Sequence, residues 1–325
     1  MRSTKSPSWI ERLLGLAPLP APPHVFALSA DELLYARLPQ RDGGERWLAI
    51  ARRAALRPGA FGPGPLGGEL RDPASLEEAL TEVLAAAGDR VEEATLVVPD
   101  DWCRLTSFDV GELPSGRDAR REVLRWKLKR IVPVPMEELR IAEVEVRRNE
   151  AGDSSRVTVA FGREPLLAAI ERMFSDRGIH LGRVVPRTAA LVPAVVDATR
   201  EAGPWALASV TAGGYTLAFA PGPGPAVFRA KTVDPGADPD RVRPSVLQDL
   251  RLTRAFVREQ LGSDSFREVF LVAPEDVRPR WASWLEEGLG VAPLLVVSRS
   301  LPASDVTLPV EDAGPLVGAV LEEIR

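Results

Sequence analysis

The segment LVVPDDWCRLTSFDVGELPSGRDARREVLRWKLKRIVPVPMEELRIAEVEV, residues 96–146, carries the organisation of this chain. Leu96, Val97 and Val98 form an apolar strand that Pro99 and Asp100 stop, and a second strand is predicted over 105–110. A helix then places Leu124, Leu128 and Ile131 at i, i+4 and i+7. Pro133 and Pro135 end it: proline has no N–H and drives the preceding residue out of the helical region, so the exit is extended. With a further strand at 139–147, the segment reads as a small sheet-and-helix module.

On the N-terminal side, strands are predicted at 24–28, 33–38 and 47–56, then a Gly/Pro loop over 58–68. A helix over 75–87 follows, with Ser75 and Glu78 as a capping box, Leu76, Leu80, Val83, Leu84 and Ala87 on one face, and Gly88 as the stop. On the C-terminal side come a strand at 156–162, a helix at 164–177, a strand at 181–185 and a helix at 188–199. The uncharged run 202–228 is interrupted throughout by glycine and proline, so it reads as a two-strand hairpin and not as a membrane span. Helices at 244–261, 279–289 and 314–324 then alternate with strands at 269–272 and 294–297. Hairpin, loop, helix, strand thus occurs twice, from His24 to Val98 and from Trp205 to Val272, opened by VFALSADELLYARLP and ALASVTAGGYTLAFAP. Such a duplication suits two mixed α/β lobes facing a cleft.

Composition narrows the function classes. A chain of 325 residues, 45% hydrophobic and 27% charged, is long enough for two core-bearing units. A net charge of −5 gives no global attraction to nucleic acid, and the basic run 117–130 has Trp126 as its one aromatic for stacking, so nucleic acid is not an expected partner. Cys103 is the single cysteine, which rules out an internal disulfide and reads as a packed thiol. The two histidines, His24 and His180, each stand alone beside apolar residues and read as structural. Asp100 and Asp101 follow a strand stop and read as turn residues. The apolar patch Trp9 to Leu16 contains Glu11 and Arg12, too short and too charged for a signal peptide, so the expected location is the cytoplasm.

In wording and order, residues 96–146 resemble the type IV pilus assembly protein PilM family, actin-like proteins related to the cell-division protein FtsA. That family's run is a Pro-terminated strand, a strand, then a helix ending in a Trp-containing turn and an Ile-Pro-x-Pro motif, answered here by Trp126 and Ile131-Val132-Pro133-Val134-Pro135. The resemblance implies an α/β, actin-like two-lobe fold with a small inserted α+β module. It divides the chain into an N-terminal tail (1–21), a first lobe (22–100 and 180–203), the inserted module (101–179) and a reduced second lobe (204–325). It implies a cytoplasmic scaffold, peripheral at the inner face of the cytoplasmic membrane. That scaffold would bind the short cytosolic tail of a single-span PilN-like protein and link it to pilus or secretion motor and platform proteins. In the family the tail lies between the first lobe and the module, which points to Leu96, Val98, Trp126, Ile131 and Pro133, with Arg121 and Arg125 as steering charges. Two alternatives stand beside it: a cytoplasmic actin-like component of a type II secretion platform, and an ATP-binding actin-like ATPase with altered loops.

The resemblance also says where nucleotide would sit, and the residues there depart from the family. A Gly-Ile-Asp-Ile-Gly-like first loop is replaced by Phe26-Ala27-Leu28-Ser29-Ala30-Asp31. The second loop is Ser209-Val210-Thr211-Ala212-Gly213-Gly214, with Ser209 in place of the acid and the glycines one step late. The adenosine turn is Ala273-Pro274-Glu275, where side-chain bulk and a missing N–H impair backbone approach to a base. About ten residues separate Val233 from the next helix, where the family places a whole subdomain. The expectation is a pseudo-ATPase with no cofactor, in which Gly213 and Gly214 are the residues left that could touch ATP and Mg²⁺, or else simply tighten a hairpin.

Overall fold

The computed structural model describes residues 21–39, 48–62, 65–88, 90–111, 113–148, 155–196, 204–220, 227–234, 236–261, 266–296 and 308–321. The expected N-terminal tail helix, the 221–226 tip and the far end of the last helix lie outside them.

Two five-stranded sheets are built on one plan. The first contains β1 (His24–Leu28), β2 (Glu32–Arg37), β3 (Ile50–Ala55), β4 (Glu93–Val98) and β8 (His180–Pro186), in the order β3-β2-β1-β4-β8. The second contains β9 (Trp205–Thr211), β10 (Gly214–Ala220), β11 (Val227–Thr232), β12 (Glu268–Val272) and β13 (Leu294–Leu295), in the order β11-β10-β9-β12-β13. In each, an antiparallel meander of three strands is extended by two parallel strands. The duplication read from the sequence is therefore a duplication of topology. The run 205–232 is a three-strand meander, one strand more than the hairpin predicted. A third sheet, β5-β7-β6, joins β5 (Cys103–Val110), β6 (Leu139–Arg148) and β7 (Ser155–Arg163) in antiparallel pairs and forms the inserted module with α2 (Arg117–Leu128).

Both large sheets are covered on both faces, so their inner strands are mostly apolar, and every residue of β1 and β10 is buried. On the outer face of the first sheet, α1 (Pro73–Ala85) and α3 (Glu164–Ser175) pack against Phe26, Leu33, Tyr35, Leu96 and Val98. On the outer face of the second, α5 (Pro239–Leu261) and α6 (Arg278–Leu289) cover Ala208, Val210, Tyr215 and Leu271. Between the sheets run α4 (Arg187–Val196) and α7 (Val310–Gly318). Ala190, Leu316 and Val317 pack under the first sheet against Val25, Ala27 and Val97, whereas Leu191, Val195 and Val310 pack on Leu207, Ala218 and Val272 of the second. The two helices cross closely enough that a Cβ on Gly318 would lie 1.9 Å from the Ala190 carbonyl oxygen.

Several boundaries differ from the sequence reading. α1 begins at Pro73, because the Asp72 side chain accepts the Ser75 N–H at 3.1 Å and proline suits the first helical turn. Ser75 Oγ instead accepts the Arg57 N–H, and Glu78 pairs with Arg57, so the expected capping box does not form. α5 begins at Pro239, with Asp238 accepting the Asp240 N–H, so only residues 233–238 separate it from β11. The last helix, assigned by sequence to the second lobe, belongs equally to the underside of the first. Likewise Trp102, Cys103 and α3, assigned to the insert, sit in the outer core of the first lobe, leaving the insert its own core of Val110, Leu124, Leu128, Val157, Val159 and Phe161.

Candidate functional site: an occupied cleft and a basic docking ridge

The turn between β1 and β2 and the N-termini of α4 and α7 meet in a network of charges at the cleft. Ser29 Oγ donates to Asp31 Oδ1 at 2.6 Å, which ties the turn to itself. Arg53 on β3 bridges Glu32 at 2.9 Å and Asp312 at 2.5 Å. Arg187 donates to the Glu311 carbonyl and lies 3.4 Å from Asp312. Burial raises the Glu32 and Glu311 carboxyls above the usual range, and Glu311 Oε2 is buried with no hydrogen-bond partner among the described residues. Close to the network, the partly buried Asp100 accepts the Thr188 N–H at 2.9 Å and its hydroxyl at 2.6 Å. Burial pushes its carboxyl upward. As read from the sequence, Asp100 lies in a turn, Pro99–Trp102, closed by the Trp102 N–H on the Pro99 carbonyl at 3.0 Å, and its side chain also ties that turn to the start of α4.

The second-lobe wall holds a cavity of about 280 Å³, lined by Val210, Thr211, Ala212, Gly214, Pro274 and Asp276 among others. The altered second loop and the altered adenosine turn therefore do face one another. Asp234 and Asp276 also line it, against one cation, Arg280. Arg278 beside it is turned onto the Ala273 carbonyl, 3.0 and 3.2 Å away. Gly214 has a packing reason of its own, since a Cβ there would lie 2.1 Å from the Lys231 carbonyl oxygen, while Gly213 has open space.

On the inserted module, α2 turns Leu124 and Leu128 into the core and leaves Trp126 60% exposed. The helix stops at Leu128, where the Ile131 and Val132 N–H groups both reach the Leu128 carbonyl. Val132 therefore takes the inward place that periodicity gave to Ile131, and Ile131 stands out, 59% exposed, next to exposed Pro133. Lys127 donates to the Asp109 carbonyl and lies 5.6 Å from the Trp126 ring, while Arg120 pairs with Glu143. Arg121, Lys129 and Arg130 are exposed without a carboxylate partner among the described residues, and Arg125 is half-buried. Five of the seven predicted partner residues thus lie within the stretch 121–133 of the inserted module, and all but Arg125 are exposed. Leu96 and Val98, 1% and 0% exposed, do not: they point from β4 into the outer core of the first lobe and present nothing to a partner. Missed by sequence reading is Leu66, whose side chain enters the insert's core from the first-lobe loop with left-handed backbone (φ 55°).

No protein-family model matches the sequence, and no curated protein matches it. Among solved structures, a chain of a PilM-PilN type IV pilus biogenesis complex superposes with a TM-score of 0.71 at 19% identity, covering 94% of this chain and 97% of that one. This protein has the PilM-type, actin-like fold. Two weaker likenesses are the cytoplasmic domain of EpsL, an inner membrane component of the type II secretion system of Vibrio cholerae (TM-score 0.47, 14% identity, 90% and 92% coverage), and a Bacteroides thetaiotaomicron protein with actin-like ATPase fold (0.49, 9%, 90% and 94%). In the PilM-type frame the paired sheets are the two lobes, the charged network lies in the cleft, and the stretch 121–133 is on the insert. Among the described residues no helix is long and apolar enough to cross a membrane.

Proposed function

We propose that this protein is a cytoplasmic scaffold of a type IV pilus or related secretion assembly, peripheral to the inner membrane, which binds the short cytosolic tail of a single-span PilN-like protein. The observation that carries the reading is the exposure of Trp126, Ile131 and Pro133 beside Arg121, Lys129 and Arg130, which have no carboxylate partner among the described residues, on a fold whose solved likeness comes from a PilM-PilN complex. Large aromatics supply much of the energy of an interface, and unpaired cations steer an acidic or membrane-proximal partner. The cleft is read as a pseudo-ATPase site. Arg53, Arg187 and Arg278 are already paired with the protein's own carboxylates or carbonyls.

The test is fluorescence anisotropy of the full chain with a labelled peptide copying the cytosolic tail of a PilN-like single-span protein. Trp126→Ala should weaken binding at least about tenfold, as loss of an aromatic anchor does. Arg121→Glu with Arg125→Glu should weaken it more at low salt than at high. Unchanged affinity in both variants would refute the assignment. Calorimetry with ATP and Mg²⁺ should be flat into the millimolar range, and a micromolar affinity would refute the pseudo-ATPase reading.

A further inference from the structure

A second basic surface lies on the outer face of the other lobe. Along α5, Arg251, Arg254 and Arg258 recur at i, i+3 and i+7 and so form one stripe. The stripe borders an open bowl of about 580 Å³ between α5 and α6, completed by Ala255, Glu287 and Gly288. Gly288 is why the helices approach there: a Cβ would sit 2.5 Å from Leu250 Cβ, and the small Ala255 leaves the space above empty.

The charges in the bowl do not balance. Its one carboxylate, Glu287, has both oxygens engaged, by Arg243 at 2.5 Å and Arg251 at 3.2 Å. Arg254 lies against the left-handed Gly290 that ends α6, where carbonyl groups give a partial negative charge, but neither it nor Arg258 has a carboxylate partner among the described residues. Both are exposed. The neighbouring Glu259 is turned away by a helical step of about 100°. On the far flank of α5, Leu252 and Phe256 are 54% and 37% exposed. Guanidiniums without a carboxylate partner among the described residues, set in a concavity on a chain of net charge −5, form a local reversal of sign.

We infer that the bowl between α5 and α6 is a docking site for an acidic segment of a partner protein, whose carboxylates enter between Arg251, Arg254 and Arg258. Guanidinium forks hold carboxylates in paired hydrogen bonds, which suits side chains inserted into a recess. A bilayer would need a convex apolar face, and a single inorganic phosphate would fill little of the volume.

The probe is a fluorescein-tagged peptide, Glu-Glu-Leu-Glu-Glu-Leu-Glu, with its all-Gln twin as control, titrated with full-length protein. The acidic peptide should bind and the twin should not, and raising salt from about 50 to about 300 mM should weaken the complex several-fold. Arg254→Glu with Arg258→Glu should lower affinity at least tenfold, whereas Arg90→Glu, an 83% exposed position on the first lobe, should leave it within twofold. If the double reversal does not fold, as judged by its thermal melt, Arg258→Gln alone should still weaken binding about threefold. Affinity unmoved by either substitution at the bowl would overturn the proposal. So would binding lost only on reversal at Arg90, or binding of phosphatidylglycerol vesicles or inorganic phosphate without binding of the peptide.

Discussion

Replacing Gly318 by alanine tests how the two lobes are joined. The new Cβ would lie 1.9 Å from the Ala190 carbonyl oxygen and 3.1 Å from its carbon, whereas ordinary contact begins at 3.4 Å. Relieving it separates α7 from α4 by about 1.5 Å, and neither obstructing atom is a side-chain end that can swing aside. Overpacking costs about 1–3 kcal/mol, and a gap of this size forfeits half or more of the dispersion energy of each contact it opens, so the upper end applies. Alanine returns about 1 kcal/mol of helix propensity, which leaves a net loss of about 2 kcal/mol. Gly314 is the control in the same helix. Its Cβ meets only Leu191 Cδ1, at 2.6 Å, a methyl that rotates away, so Gly314→Ala should stay within about 1 kcal/mol of the parent. Urea unfolding followed by tryptophan fluorescence, with Trp205 in the interface between lobes, reads both. Equal effects of the two substitutions, or an unweakened Gly318→Ala, would refute the account of the crossing.

Leu66→Ala should destabilise by about 3 kcal/mol, since the side chain is 2% exposed inside the insert's core. Leu66→Gly should be no worse than alanine in the same urea titration, because glycine recovers the roughly 1–2 kcal/mol of left-handed strain at φ 55°. Asp100→Asn should change the pH profile of stability. The partly buried carboxyl has a raised pKa, so the native state holds its proton more tightly than the unfolded chain does. The parent should therefore lose stability as pH climbs from the ordinary value of 3.8 through the raised one. The asparagine variant should lose less over that window, and parallel profiles would show that Asp100 carries no such penalty.

What the sequence made legible is local and periodic. Turn residues gave the strands of the first meander, in the second β9 and β10 were read as one strand, and the spacing of Leu124 and Leu128 gave the buried face of α2. Extending that periodicity to Ile131 failed because the approaching proline ended the helix first. Ser75 was read as a cap because its motif fits, but Asp72 followed by proline is the stronger signal at that start. Strand residues were harder to place by face: Leu96 and Val98 looked like a lip of the docking site, yet a strand buried on both sides gives no pattern to tell surface from core. Asp100, Arg187 and Asp312 join elements from separate parts of the chain, as do Arg251 and Glu287, so no spacing motif announces either cluster.

The return of α7 to the first sheet bears on how the protein is made. Val25, Ala27, Leu34, Ala36 and Val97 form an underside that is closed by Leu316, Val317, Ala319 and Val320. Roughly two hundred residues separate β4 from α7. At about 5–20 residues per second, synthesis leaves that apolar surface open for about 10–40 s, long compared with chain collapse. The nascent N-terminal half must therefore stay soluble on the ribosome without its own floor, and truncation before residue 310 would leave the same surface bare for good.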